Sequence, residues 1–158
     1  MTKLRYHTPL LGPELRALAI PEPWSFGMAD RTRFGELDTV GHVNNTAYLR
    51  WFEAFRVSYL IDYGLANTSA DTPFPVLKKI GVEFIAEMNL HEDYIITGRT
   101  TTMRTTSAEM EYGVWSSDGE LRATGYALLV FLTRHGRYSL TDAQRATLVA
   151  RDGTIDAR

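Results

Sequence analysis

The sequence predicts an α+β domain in which an antiparallel sheet wraps around one long helix. Three observations carry that expectation: one aromatic-rich stretch with helical spacing, a series of strand-like segments after it, and short turns joining most of those segments. A chain of 158 residues with 44% hydrophobic and 23% charged residues fits a single globular domain with a core of its own.

Gly12, Pro13, Pro21 and Pro23 punctuate the first residues and leave room for one short helical turn around residues 14–19. Residues 1–23 therefore read as a peripheral arm. Residues 24–34 are compatible with a strand, and a polar loop, residues 35–43, follows with Asp38, Gly41 and His42 in it. Asn44, Asn45 and Thr46 then supply the side chains that a helix N-terminus needs for its free N–H groups.

The helix is expected to run to about Tyr63, with Gly64 as its C-terminal cap. Tyr48, Phe52, Phe55, Tyr59 and Tyr63 fall on one face. Core packing explains such a stripe better than a cofactor box does. On the opposite flank Arg50 and Glu53 stand beside Ala54, Val57 and Ile61, so the helix is expected to be covered on most sides.

After a polar loop at residues 67–75 the period changes to two. Ile80, Val82, Phe84, Ala86 and Met88 alternate with Lys79, Gly81, Glu83, Ile85 and Glu87, the pattern of a half-buried strand. Further strands are expected at residues 94–104, 108–116 and 121–133, with Asp118-Gly119 turning the last hairpin. The apolar run at residues 127–132 places the final strand centrally or at a subunit contact. The main domain spans residues 24–134, and residues 135–158 form an extension with a short helix near residues 141–150.

Seventeen basic against nineteen acidic residues give a charge of −2, without the basic field that holds nucleic acid. The absence of cysteine removes disulfides, thiolate–zinc sites and a cysteine nucleophile. No stretch approaches the ~20 apolar residues of a membrane span, and the first 20 residues lack a signal-peptide core, so a cytoplasmic protein is expected. His7, His42, His91 and His135 show no metal-ligand spacing, and neither a metal nor another cofactor is expected.

Asp38, His42, Asn44 and Asn45 sit in a glycine-containing loop that runs straight into the helix N-terminus. A carboxylate there can act as nucleophile or general base while helix N–H groups stabilise an oxyanion, a combination suited to acyl transfer. The same residue types also end strands, make turns and cap helices. Both readings are open at this point.

The run from Arg33-Phe-Gly-Glu-Leu-Asp38 through Gly41-His42-Val-Asn44-Asn45 to Tyr48, Trp51, Glu53 and Arg56 resembles the signature of hotdog-fold acyl-CoA thioesterases. The branch concerned is similar to 4-hydroxybenzoyl-CoA thioesterase and the plant acyl-ACP thioesterases. The resemblance extends through Val82-Glu83-Phe84 and Asp93-Tyr94 to the Asp118-Gly119 hairpin. It implies a five-stranded antiparallel sheet around the helix, and a homodimer or homotetramer with active sites at a subunit interface.

By that resemblance Asp38 is the catalytic carboxylate, an N–H near Asn45 polarises the thioester carbonyl, and His42 assists by hydrogen bonding or proton transfer. Val40 stands where the acyl-ACP branch has asparagine. Gly41, Asn44, Tyr48, Phe55 and Glu83 are candidate substrate contacts; strand alternation sets Glu83 opposite Val82 and Phe84, and the rings of Tyr48 and Phe55 serve equally as closed core. The implied substrate is an acyl-CoA or an acyl-carrier protein, with no nucleic acid or membrane partner. Two other readings compete: a hotdog hydratase or dehydratase, whose usual signature differs after the histidine, and a non-catalytic module that binds acyl thioesters.

Overall fold

A computed structural model describes residues 3–66 and 72–158. In chain order the elements are β1 (Leu10–Leu11), α1 (Gly12–Ala17), β2 (Phe26–Arg31), α2 (Asn45–Asp62), β3 (Phe74–Phe84), β4 (Asp93–Met103), β5 (Ser107–Ser116), β6 (Leu121–Thr133), β7 (Gly136–Arg137), α3 (Asp142–Asp152) and β8 (Ile155–Asp156). The sheet runs β1-β2-β4-β5-β6-β3, with β7 beside β6 and β8 beside β4. Among these strands every pairing is antiparallel except β4 with β8.

The expected order of one strand, one helix and four strands is present, with three two-residue strands and two further helices added to it. Asn44 caps α2, its side chain accepting from the Thr46 N–H at 2.9 Å, and Gly64 ends the segment in a left-handed conformation at φ 72°. All five aromatic residues of the predicted stripe are buried. Phe52 stacks on Tyr112 with centroids 4.5 Å apart. The rings approach the sheet where it carries glycine: a Cβ would stand 2.3 Å from Phe55 at Gly98 and 2.6 Å from Phe52 at Gly125.

A second, smaller core lies where the arm meets the sheet. Leu15 of α1 and Ile20 are fully buried against Ile95 and Trp115, so the first residues are packed onto the domain. Helix α3 is tied in by a buried carboxylate. Asp152 accepts from the hydroxyls of Tyr59 and Tyr63 and from the Thr100 N–H, the last two at 2.7 and 2.8 Å.

Two expectations need correction. Helix α2 is not covered on most sides: Leu49, Val57 and Ile61 are exposed, because the sheet curves around one side of the helix only. The strand expected at residues 79–88 is β3, which begins and ends earlier and is largely exposed rather than half-buried. Among the described residues it is the edge of the sheet, hydrogen-bonded to β6 alone, and an edge tolerates the missing N–H of Pro75 within it. Residues 67–71 of the expected loop lie outside the described residues. Among the described residues no helix is long and apolar enough to cross a membrane.

Candidate active site

The loop between β2 and α2 is folded by its own polar groups. Leu37 and Val43 form an isolated antiparallel bridge, and between them Asp38 N–H donates to the His42 carbonyl at 2.8 Å. Gly41 turns the chain at φ 83°, a conformation that costs glycine little. One carboxylate oxygen of Asp38, Oδ1, accepts from the N–H groups of Val40 and His42 at 2.9 and 3.3 Å. Its other oxygen accepts from no group among the described residues.

Glu36 fixes this loop to the helix. Its carboxylate accepts from Trp51 Nε1 at 2.9 Å and from the Arg33 N–H at 2.8 Å, and its carbonyl accepts from the Asn44 N–H at 2.7 Å. The Val43 N–H donates to the Met88 carbonyl at 2.8 Å, which joins the loop to the chain that leaves β3. The helix entry is thereby held from both sides.

A cavity of about 530 Å³ opens at this point, lined by Asp38, Val43, Asn44, Asn45, Tyr48, Phe84, Ile85, Ala86 and Glu87. The Thr46 N–H is used by the Asn44 cap, whereas the Asn45 N–H, first in the helix, has no acceptor among the described residues. It lies at the positive end of an 18-residue helix, where N–H groups favour negative charge. Burial pushes the Tyr48 phenol up to about 12, so it stands in the cavity wall as a neutral hydroxyl at neutral pH.

Of the residues named from sequence, Asp38, Asn44, Asn45 and Tyr48 line the cavity together. Gly41 and His42 do not line it; they shape the turn, and His42 reaches Asp38 through its backbone. Phe55 is core, and it lines a separate cavity of about 180 Å³ on the other flank of α2, with Trp51 and Tyr94. Glu83 is exposed on β3 and is not part of the cavity wall.

Sequence reasoning missed the opposite wall, residues 84–87, and the brace Glu36. Glu36 lies inside the motif, but only its bond to Trp51, fifteen positions on, reveals the role. The wall is distant in sequence and is brought in by the path of β3; the regular alternation there pointed to a strand running on to Met88.

A curved antiparallel sheet around one long helix, with a cavity at the N-terminus of that helix, defines the hotdog fold. The family model described as the thioesterase-like superfamily matches residues 32–151, and this chain belongs to that superfamily. The structure is similar to that of a thioesterase-superfamily protein from Jannaschia sp. CCS1, with a TM-score of 0.93 and 48% identity over 97% of this chain and 99% of that one. It is also similar to a thioesterase from Thermus thermophilus whose crystal structure is a complex with coenzyme A and Zn, with a TM-score of 0.70 and 26% identity over 84% of this chain and 98% of that one. Among curated proteins, the uncharacterised YsmA of Bacillus subtilis strain 168 is 25% identical over 128 residues, 80% of this chain and 86% of its own. These likenesses support thioester hydrolysis as the general activity.

Proposed function

We propose that this protein hydrolyses an acyl-CoA thioester to the free acid and the thiol of coenzyme A, with Asp38 as the catalytic carboxylate. One observation carries the reading: Asp38 and Asn45 line one cavity, the first with a carboxylate oxygen left uncommitted and the second with a backbone N–H that has no acceptor among the described residues. That oxygen either attacks the thioester carbonyl or takes a proton from an attacking water. On both routes the carbonyl oxygen becomes an oxyanion, which the Asn45 N–H and the helix dipole stabilise, before the carbon–sulfur bond breaks and the thiolate leaves; after direct attack the acyl group stays on Asp38 as a mixed anhydride, which a water then hydrolyses to the free acid and the carboxylate.

The route draws on protein groups and water. His42 contributes by holding the Asp38 loop, and Asn44 by capping the helix so that the Asn45 N–H points outward unpaired. The Thermus thermophilus neighbour's complex with coenzyme A supports coenzyme A over a carrier protein as the thiol carrier.

The working unit is a homodimer. Edge strand β3 exposes Phe74, Val76, Leu77 and Phe84, and an unpaired edge of this length with apolar side chains is a template for another strand. Antiparallel pairing with β3 of a second copy satisfies the free backbone groups and extends the wall of the Asp38 cavity across the junction.

Thiol release from short, long and aromatic acyl-CoA substrates tests the activity, and sedimentation of the wild type beside Val76→Lys tests the assembly. Release from at least one substrate and a dimer that the lysine dissociates are expected. Binding of acyl-CoA without release would instead mark a non-catalytic binding module.

A further inference from the structure

Among the described residues five tyrosines are buried, and three of them use their hydroxyls: Tyr59 and Tyr63 donate to Asp152, and Tyr112 accepts from Arg56 at 3.3 Å. The other two, Tyr48 and Tyr94, are each 2% exposed and have no hydroxyl partner among the described residues. A buried hydroxyl without a partner costs free energy, and in a cavity wall it points to a bound molecule that supplies one. Tyr48 lines the Asp38 cavity. Tyr94 lines the cavity of about 180 Å³ on the other flank of α2, which the hydrolysis proposed above does not use.

Helix, sheet and arm meet at this second cavity. Trp51, Phe55 and Ser58 reach it from α2, Asp30 from β2, Tyr94 from β4 and His7 from the arm. The His7 N–H donates to the Ala29 carbonyl at 3.1 Å, and that bond holds the arm at the cavity. Asp30 and Tyr94 stand opposite each other in the pairing of β2 with β4, and Tyr94 stacks on Trp51 with centroids 4.1 Å apart. The half-buried Ser58 hydroxyl also lacks a partner among the described residues.

Size and charge select the occupant. An apolar cavity of about 150 Å³ takes up benzene, so this one has room for a single six-membered ring with a small substituent and none for coenzyme A. Neither lysine nor arginine lines it, which disfavours an acid. Asp30 is already held by the Arg33 guanidinium at 3.0 Å, which disfavours a cation. A neutral aromatic ring suits the aromatic walls, and a hydroxyl on it suits Tyr94. Burial pushes the Tyr94 phenol up, so it stays neutral and able to donate.

We propose that this cavity is a binding site for a small monocyclic phenol, whose hydroxyl pairs with that of Tyr94 while its ring packs against Trp51 and Phe55. The occupant touches the indole whose Nε1 donates to Glu36 at 2.9 Å, and the Glu36 carbonyl accepts from the Asn44 N–H at 2.7 Å. Two hydrogen bonds thus join the site to the loop that carries Asp38.

Nitrogen–proton correlation spectra of the full chain, titrated with phenol and with toluene, test the proposal independently of thiol release. The Trp51 indole N–H, assigned through Trp51→Phe, shifts saturably with phenol, and toluene binds roughly threefold to tenfold more weakly, the worth of one neutral hydrogen bond. Tyr94→Phe keeps the ring and loses the hydroxyl, and it brings the two affinities to within about twofold. Ala54→Leu, at an exposed helix position in the cavity lining, fills the space and abolishes both shifts. Each variant is checked for a wild-type-like melting curve, and Ala54→Leu decides the matter if Tyr94→Phe does not fold. A cavity that holds water alone gives no saturable shift, and that result overturns the proposal. Equal affinities for phenol and toluene in the wild type, a preference that survives Tyr94→Phe, or shifts that survive Ala54→Leu overturn it as well.

Discussion

On one face of α2, Phe52 and Phe55 lie so close to Gly125 and Gly98 that an added Cβ would meet the rings at 2.6 and 2.3 Å; on the other face, Leu49, Val57 and Ile61 are exposed. The helix carries eleven apolar residues, of which seven are buried within the chain and four, Leu49, Ala54, Val57 and Ile61, are exposed. The buried face sets the distance between helix and sheet and so fixes where the helix N-terminus, with its unpaired N–H, stands relative to Asp38. The bare β3 edge is the part that the proposed second copy covers.

The contrast is broken most severely from the buried side. Phe52→Ala removes a fully buried ring stacked on Tyr112 and is expected to cost about 3–5 kcal/mol in chemical denaturation. Asp152→Ala should follow, at about 2–4 kcal/mol, because it strips the acceptor from two buried phenols and a buried N–H and unfastens α3 from the helix end. A midpoint within error of wild type for either variant would contradict this account of the core.

A pH titration probes the same buried face without mutation. Burial raises the phenols of Tyr48, Tyr59, Tyr63, Tyr94 and Tyr112, whereas in the unfolded chain tyrosine ionises near its ordinary value of about 10. Below that value both states hold these protons and the stability is fully present. As pH rises above about 10 the unfolded chain loses them first, so stability falls. Urea midpoints at pH 8 and pH 11 check this, and a midpoint that does not fall would contradict it.

The smallest effect is expected on the open face. Val57→Ala, at a side chain 56% exposed, should change stability by no more than about 0.5 kcal/mol. A larger, concentration-dependent loss would sharpen the comparison by showing that the second copy covers this part of the helix as well as β3.

The sequence made the helix and the turns legible because their signals are local. The aromatic spacing from Tyr48 to Tyr63, Gly64, and the Asp118-Gly119 turn each state a conformation without reference to distant chain. The carboxylate loop was legible for the same reason: Asp38, Gly41 and Asn45 are close in sequence and stay close in space. What could not be read is set by pairing. Residues 84–87 become a cavity wall only through the path of β3 along β6, and Glu36 becomes a brace only when Trp51 turns toward it. Val57 and Ile61 have the composition of buried residues, but hydropathy does not say whether the same chain covers them. Pro75 reads as a loop until its strand is known to be an edge.

Thiol release by wild-type protein and by Asp38→Asn of matched secondary structure and melting temperature tests the central claim most directly. An amide at position 38 keeps the oxygen that accepts from the Val40 and His42 N–H groups, but it neither attacks as a carboxylate nor takes a proton from water at neutral pH. The account predicts a folded Asp38→Asn protein with at least a hundredfold lower turnover, about 2.7 kcal/mol in activation free energy. A folded variant that releases thiol at near wild-type rates would remove Asp38 from the chemistry and contradict the account.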